Sequence, residues 1–87
     1  MRSRTTKTFW RHFEKLPRTV QLQATKAYRL WRDEPSHPSL HFKPVHTAEP
    51  IYSLRVSRDY RALGLREGDA VTWFWIGSHA DYDRLVR

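Results

Sequence analysis

The chain of 87 residues contains no cysteine. Disulfide bridges and cysteine-based zinc sites are therefore excluded, which fits a reducing compartment. Long apolar runs are missing as well, because no segment approaches the roughly 20 apolar residues that a membrane-spanning helix needs. The basic N-terminus, MRSRTTKTFW, is not followed by an apolar stretch. We therefore expect no secretory signal and no membrane anchor, and we predict a cytoplasmic protein.

Acidic residues are scarce. Nine Asp and Glu stand against 16 Lys and Arg, which gives a net charge of +7. Such a balance indicates an anionic partner, either nucleic acid or an acidic protein, although a well-solvated surface has the same composition. Aromatic residues are plentiful, and their burial supports a compact core. The length suffices for one core, so residues 1–87 are predicted to form a single domain.

Two N-terminal segments have the period of a helix. Phe9, Phe13 and Leu16 recur at i, i+4 and i+7, and Pro17 predicts that the first helix ends at Leu16. The prolines in residues 35–38 predict the end of a second helix. That helix is marked by an apolar stripe with a period of 3.6, formed by Val20, Ala24, Ala27, Tyr28 and Trp31. The two helices are predicted to form a hairpin.

From residue 39 the period changes to two, which indicates strands. SLHFKPV (39–45) and YSLRVS (52–57) alternate, and YRALG (60–64) follows them. The turn LREGD then precedes AVTWFWIG (70–77), which is apolar on both faces like a central strand. Trp73 and Trp75 are expected to share a core-facing side, and the tail is expected to close as a short helical turn. The predicted fold class is α+β: a helical hairpin, after a short strand if residues 4–8 form one, packed on a small, mostly antiparallel sheet.

Alternation also predicts which strand residues face the helices and which lie on the open face. The residues expected to face the helices are Leu40, Phe42, Tyr52, Leu54 and Val56. The open face then holds His41, Lys43, Ser53, Arg55 and Ser57, and His79 and Tyr82 follow the last strand. The next strand adds Arg61 to this face, although the turn around SRDY leaves the register of that strand open. Arginines bind phosphate, histidine exchanges protons near neutral pH, and aromatic rings stack on unpaired bases. The surface therefore suits metal-free RNA cleavage by a 2′-hydroxyl, because no carboxylates are spaced to make metal ligands of His41 and His79.

Each candidate also has a purely structural interpretation. Arg55 and Arg61 fit solvated strand positions, His41 fits a neutral surface histidine, and His79 fits the cap of the closing turn. Tyr82 fits a core aromatic equally well. Asp81 and Asp83 could orient a histidine or start the last helical turn. No function is predicted for His12, His37 and His46.

Four segments together resemble the RelE/ParE toxin superfamily of bacterial type II toxin–antitoxin systems. They are FEKLP (13–17), AYRLWRDEPSHPSLHFKPV (27–45), YSLRVSRDYRALG (52–64) and WFWIGSHADYDRL (73–85). The third is similar to the family's Y-x-x-R-x-x-x-x-Y-R strand pair, and the fourth to an ending in which glycine precedes His or Arg and then Tyr. The resemblance implies a RelE-like fold and an acidic antitoxin protein as partner.

In the RelE-type branch, the resemblance implies ribosome-dependent cleavage of messenger RNA with no cofactor. His79 would then act as general acid or base, Arg61 and Arg55 would stabilise the phosphorane, and Tyr82 would orient or stack. The implied RNA-binding residues are Lys43, His41 and Arg58. The chain departs from several members by having fewer sheet lysines and no clear catalytic Glu or Asp. The ParE branch shares the fold but inhibits DNA gyrase, so gyrase inhibition is one alternative, and a non-catalytic RNA-binding or degenerate toxin module is another. His79 and His41 favour the RNase branch.

Overall fold

A computed structural model describes residues 1–45 and 48–86, which form a five-stranded sheet and three α-helices. The elements in chain order are β1 (Arg2–Thr5), α1 (Lys7–Glu14), α2 (Arg18–Asp33), a short 3₁₀ turn (Pro38–Leu40), β2 (Lys43–Pro44), β3 (Ile51–Ser57), β4 (Tyr60–Glu67), β5 (Ala70–Ser78) and α3 (His79–Leu85). None of the helices in this part of the chain has the length and apolar character needed to cross a membrane.

The sheet has the strand order β1-β5-β4-β3-β2. β1 runs parallel to β5, and the other neighbours are antiparallel. The predicted α+β class is thereby confirmed, including the short tail helix and a first strand. That strand lies at Arg2–Thr5 instead of residues 4–8, because Thr6 caps α1 by accepting a hydrogen bond from the Phe9 amide.

The helical hairpin follows the predicted pattern with small shifts at its ends. α1 ends at Glu14, and the Gln21 side chain donates to the main-chain oxygens of Phe13 and Leu16 in the connection. These hydrogen bonds occupy carbonyls that the end of a helix leaves without partners. α2 begins directly after Pro17, and most of its predicted apolar stripe is buried, namely Val20, Ala24, Ala27 and Trp31.

The core lies between the hairpin and one face of the sheet. Trp31 is fully buried and makes edge contacts with Trp73, at 5.2 Å between ring centroids, and with Phe42, at 5.7 Å. Leu40 and Leu54 are buried in the same cluster, against which Phe42 and Val56 pack. The rings of Tyr52 and Phe42 are tilted by 36° to each other, with 4.9 Å between their centroids. The residues predicted to face the helices therefore do so.

The strand predicted over residues 39–45 is shorter than expected. The 3₁₀ turn ends at Leu40 and is followed by His41, whose backbone is left-handed with φ 44°. The strand itself is limited to Lys43–Pro44. The prediction that places His41 on a strand is therefore wrong, because the left-handed residue interrupts the two-residue alternation. His46 lies outside the described residues.

A β-bulge separates the two tryptophans of β5. Trp73 is opposite Gly64, whereas Trp75 is opposite Leu63, so Phe74 is an extra residue on this strand. Neighbouring residues of β4 point to opposite faces of the sheet, and the two tryptophans must do the same. Trp73 belongs to the core cluster, while Trp75 and Leu63 are buried outside it. The prediction that both tryptophans share one face is wrong, because the bulge breaks the period.

Candidate functional site

Two arginines face each other on the sheet surface that points away from the helices. Arg55 of β3 is directly opposite Arg61 of β4, and the neighbouring pair, Leu54 and Ala62, lies in the core. In such a pair the β-carbons are about 4.5–5.5 Å apart, and like charges directly opposite destabilise a sheet. An oxyanion such as phosphate would relieve this repulsion by binding both guanidinium groups.

Arg61 also holds the turn between β3 and β4. Its Nη1 donates to the main-chain oxygens of Ser57 at 2.6 Å, Tyr60 at 2.9 Å and Arg58 at 3.3 Å. Burial lowers the pKa of the Arg61 guanidinium, and so does the charge of Arg55, while nearby Tyr82, Asp83 and Asp59 act in the opposite direction. These turn contacts are a structural role that the sequence pattern does not reveal.

His79 is the first residue of α3, and its position is fixed from two sides. Ser78 caps the helix by accepting the Asp81 amide at 3.1 Å. The His79 amide donates to the Asp59 main-chain oxygen at 2.7 Å, which ties α3 to the β3–β4 turn. A histidine at this point is therefore held against the turn that Arg61 organises.

The His79 ring is paired with a carboxylate one helical turn further on. Its Nδ1 lies 3.0 Å from Oδ2 of Asp83, and the two side chains are 44% and 46% exposed. When Nδ1 donates its proton to Asp83, the outer Nε2 is the nitrogen left to exchange a proton with a substrate. Of the two roles considered for Asp83, the structure supports orientation of a histidine. Asp81 instead pairs with Arg84.

Tyr82 completes the group at this end of the sheet. Its ring is partly exposed and lies 5.7 Å from the ring of His79. The end of β5 places Gly77 opposite Arg61 and so brings the start of α3 beside the arginine pair. The four residues that the sequence analysis predicts to be catalytic thus lie together, and Asp83 pairs with one of them, His79. The spacing of four residues between His79 and Asp83 on a helix is the signal that identifies this partner.

The predicted RNA-binding residues lie around this group at different distances. Lys43 is opposite Ser53, two residues before Arg55, so it shares the arginines' face at the edge of the sheet. Arg58 is exposed in the β3–β4 turn. His41 is exposed but lies off the strands, and the structure does not align it with the other residues of this face. Within residues 1–45 and 48–86, no three His, Cys, Asp or Glu side chains are grouped to hold a metal ion.

Several solved structures have a fold similar to that of this chain, and two of those described here are antitoxin–toxin complexes. The RelB–RelE antitoxin–toxin complex from Methanococcus jannaschii aligns at 17% identity over 93% of this chain and 96% of that one, with a TM-score of 0.74. The RelBE2 toxin–antitoxin complex from Mycobacterium tuberculosis aligns at 22% identity over 90% and 96%, with a TM-score of 0.71. YafQ from E. coli aligns at 10% identity over 94% and 98%, with a TM-score of 0.74. The fold is therefore that of RelE-like toxins.

The sequence supports the same class. The model of the ParE-like toxin domain matches residues 18–84, which is more than half of the chain. Among curated proteins, no sequence matches. The chain belongs to the ParE-like toxin domain family and is a toxin of the RelE/ParE superfamily found in type II toxin–antitoxin systems.

Proposed function

We propose that this toxin is a ribosome-dependent mRNA interferase that cleaves RNA at the group formed by Arg55, Arg61, His79 and Tyr82. The observation that carries the proposal is the His79–Asp83 pair, with 3.0 Å between Nδ1 and Oδ2, beside two directly opposed arginines. An oriented imidazole beside concentrated positive charge is what phosphodiester cleavage by a 2′-hydroxyl requires.

The reaction forms a bond between the 2′-oxygen and phosphorus and breaks the bond from phosphorus to the 5′-oxygen. The 2′-hydroxyl loses a proton, and the leaving 5′-oxygen gains one. His79 Nε2 takes or gives one of these protons, while Asp83 keeps the ring oriented. The product is a 2′,3′-cyclic phosphate and a free 5′-hydroxyl.

The arginines stabilise the negative charge that builds on the phosphorane. Arg61 is preorganised for this task because the turn carbonyls fix its Nη1. Tyr82 orients His79 or stacks on a base, and Lys43 and Arg58 bind the RNA backbone on either side. His41 remains a predicted RNA contact. No cofactor takes part in this proposal.

The proposed partners are an acidic antitoxin protein and messenger RNA on the ribosome, in the cytoplasm. The net charge of +7 complements both, and two of the similar solved structures are antitoxin–toxin complexes. The match to the ParE-like toxin domain supports inhibition of DNA gyrase as a second candidate. The His79–Asp83 pair favours RNA cleavage, because a protein that only binds its target has no need for an oriented imidazole.

The test is induced expression of the wild type, His79→Ala and the control His37→Ala, with mapping of message 5′ ends and a DNA-damage reporter. The His37 ring hydrogen-bonds the amide and the hydroxyl of Ser39 at the start of the 3₁₀ turn and has no part in the proposed site, so its variant should keep the wild-type cleavage. We expect cuts within translated codons that fall about 10²–10⁴-fold in His79→Ala, the usual contribution of a general acid or base. Intact messages together with an active damage response would instead identify a gyrase inhibitor. Circular dichroism would confirm that each variant folds.

A further inference from the structure

The net positive charge of the toxin lies mainly away from the candidate site. Residues 1–34, which form β1, α1 and α2, hold nine of the 16 Lys and Arg and three of the nine Asp and Glu, a balance of +6. Residues 35–87 hold seven cations and six acids, a balance of +1. The helical layer therefore carries the charge that indicates an anionic partner, although the candidate catalytic groups lie on the sheet and α3.

Helix α2 concentrates part of this charge along one line, which we call the basic ridge. It consists of Arg18, Lys26, Arg29 and Arg32, with Leu22 among them, and all five side chains are exposed. By helical periodicity the ridge stands opposite the buried stripe from Val20 to Trp31. At 1.5 Å per residue it is about 21 Å long.

The ridge cations have little compensation within the chain. Arg32 Nε lies 3.6 Å from Asp33 Oδ1. Arg18, Lys26 and Arg29 make no ion pair to any group in residues 1–45 and 48–86. A row of exposed cations without acidic neighbours attracts a polyanion and releases its counterions.

We propose that the basic ridge binds the phosphate backbone of folded RNA, on the layer of the molecule opposite the candidate catalytic face. This inference rests on the proposed function for the identity of the anion as RNA. A protein partner is less suitable, because the centre of a protein interface is apolar and poor in charge, whereas Leu22 is the ridge's single apolar side chain. Phosphate contacts of this kind position a protein without reading bases. The ridge would hold structured RNA while the sheet face acts on a single strand.

The experiment measures binding of a fluorescently labelled RNA hairpin by anisotropy between about 50 and 300 mM salt. All proteins carry His79→Ala so that no cleavage interferes. The ridge variant is Arg18→Gln/Arg29→Gln, and the matched control is Arg2→Gln/Arg84→Gln, which removes the same charge from arginines already paired with Asp69 and Asp81. Each lost phosphate contact lowers the slope of log K against log salt by about 0.7–0.9. We expect the slope of log K against log salt to be lower by about 1.4–1.8 in the ridge variant, which loses two contacts, and to stay at the parent value in the control.

Equal slopes in the two double variants would show that only total charge matters and would overturn the proposal. So would a ridge variant with the parent slope. Poly-L-glutamate serves as the acidic-polypeptide probe. If the ridge variant loses affinity for poly-L-glutamate as strongly as it loses affinity for RNA, the ridge is not specific for a phosphate backbone and the proposal fails. A lower slope for the ridge variant alone supports RNA binding by the ridge. If messages are still cut in cells that express His79→Ala, the proposed catalytic role of His79 is wrong, but the conclusion about the ridge is unaffected.

Discussion

The opposed arginines predict that Arg55→Gln stabilises the fold while it weakens the RNA reaction. A cross-strand pair contributes about 0.2–1 kcal/mol, and a like-charge pair has the unfavourable sign. Arg55 and Arg61 are both partly exposed, so solvent screening reduces the expected gain to about 0.2–0.5 kcal/mol. For a domain of this size, 1 kcal/mol shifts Tm by about 4–8 °C. The variant should therefore melt about 1–4 °C higher at low salt.

In the proposed reaction, the same substitution removes a charged hydrogen-bond donor to phosphate. Such a bond contributes about 1.5–3 kcal/mol, which corresponds to a loss of about 10- to 150-fold in the cleavage rate. A gain in stability together with a loss of activity is expected where two like charges repel each other in the free protein but both bind the ligand.

Thermal unfolding followed by circular dichroism at low and high salt tests the stability part. The control is Arg4→Gln, which removes the same charge from β1 at a position opposite Thr72. The Debye length falls from about 30 Å at 0.01 M to about 3 Å at 1 M, so the gain in Arg55→Gln should vanish at high salt. A lower Tm for Arg55→Gln at low salt, or an equal gain in the Arg4→Gln control, would refute the reasoning.

Two further predictions concern the histidine pair and the core. Asp83→Asn should slow cleavage by about five- to tenfold, because a charge-assisted hydrogen bond of half-exposed groups contributes about 1 kcal/mol. Single-turnover rates of the purified protein on messages bound to ribosomes check this, and an unchanged rate would show that His79 acts without Asp83. Gly64→Ala should lower the free energy of unfolding by about 1–3 kcal/mol through overpacking, since a Cβ there would lie 2.4 Å from Val71 Cγ1 and 2.8 Å from Trp73 Cε3. Urea unfolding measures that loss. A stability equal to that of the wild type would mean that Val71 and Trp73 can shift to make room for the methyl group without destabilising the fold.

Local periodicity predicts the parts of this fold that local interactions decide. The hairpin of α1 and α2 and the pairing of β3 with β4 follow from apolar spacing and turn residues. The bulge at Phe74 depends on how β5 meets β4, which no window along one strand contains. The left-handed His41 likewise depends on the 3₁₀ turn that precedes it.

In the candidate site as well, local periodicity predicts some features, and others depend on contacts between elements. The sequence places Arg55 on the open face by alternation and His79 at a strand end by the length of the last strand. The position of Arg61 opposite Arg55 depends on the register across the β3–β4 turn, which the sequence leaves open. The choice of Asp83 over Asp81 as the partner of His79 depends on where α3 begins. The carbonyl contacts of Arg61 depend on the shape of a turn, which residue types do not specify.

The bulge in β5 also determines which residues lie next to Arg61 on the outer face of the sheet. It turns Trp75 to the outer face, where a Cβ at Gly77 would lie only 2.6 Å from Trp75 Cζ2, so the indole lies against the glycine backbone. Gly77 is the residue opposite Arg61, and Leu63, opposite Trp75, is buried beside them. Arg61 therefore has Gly77 and Leu63 as neighbours on the outer face of the sheet, and its partial burial lowers the pKa of its guanidinium. In the proposed reaction this partial burial would reduce screening by water and so strengthen the attraction between Arg61 and a phosphate group.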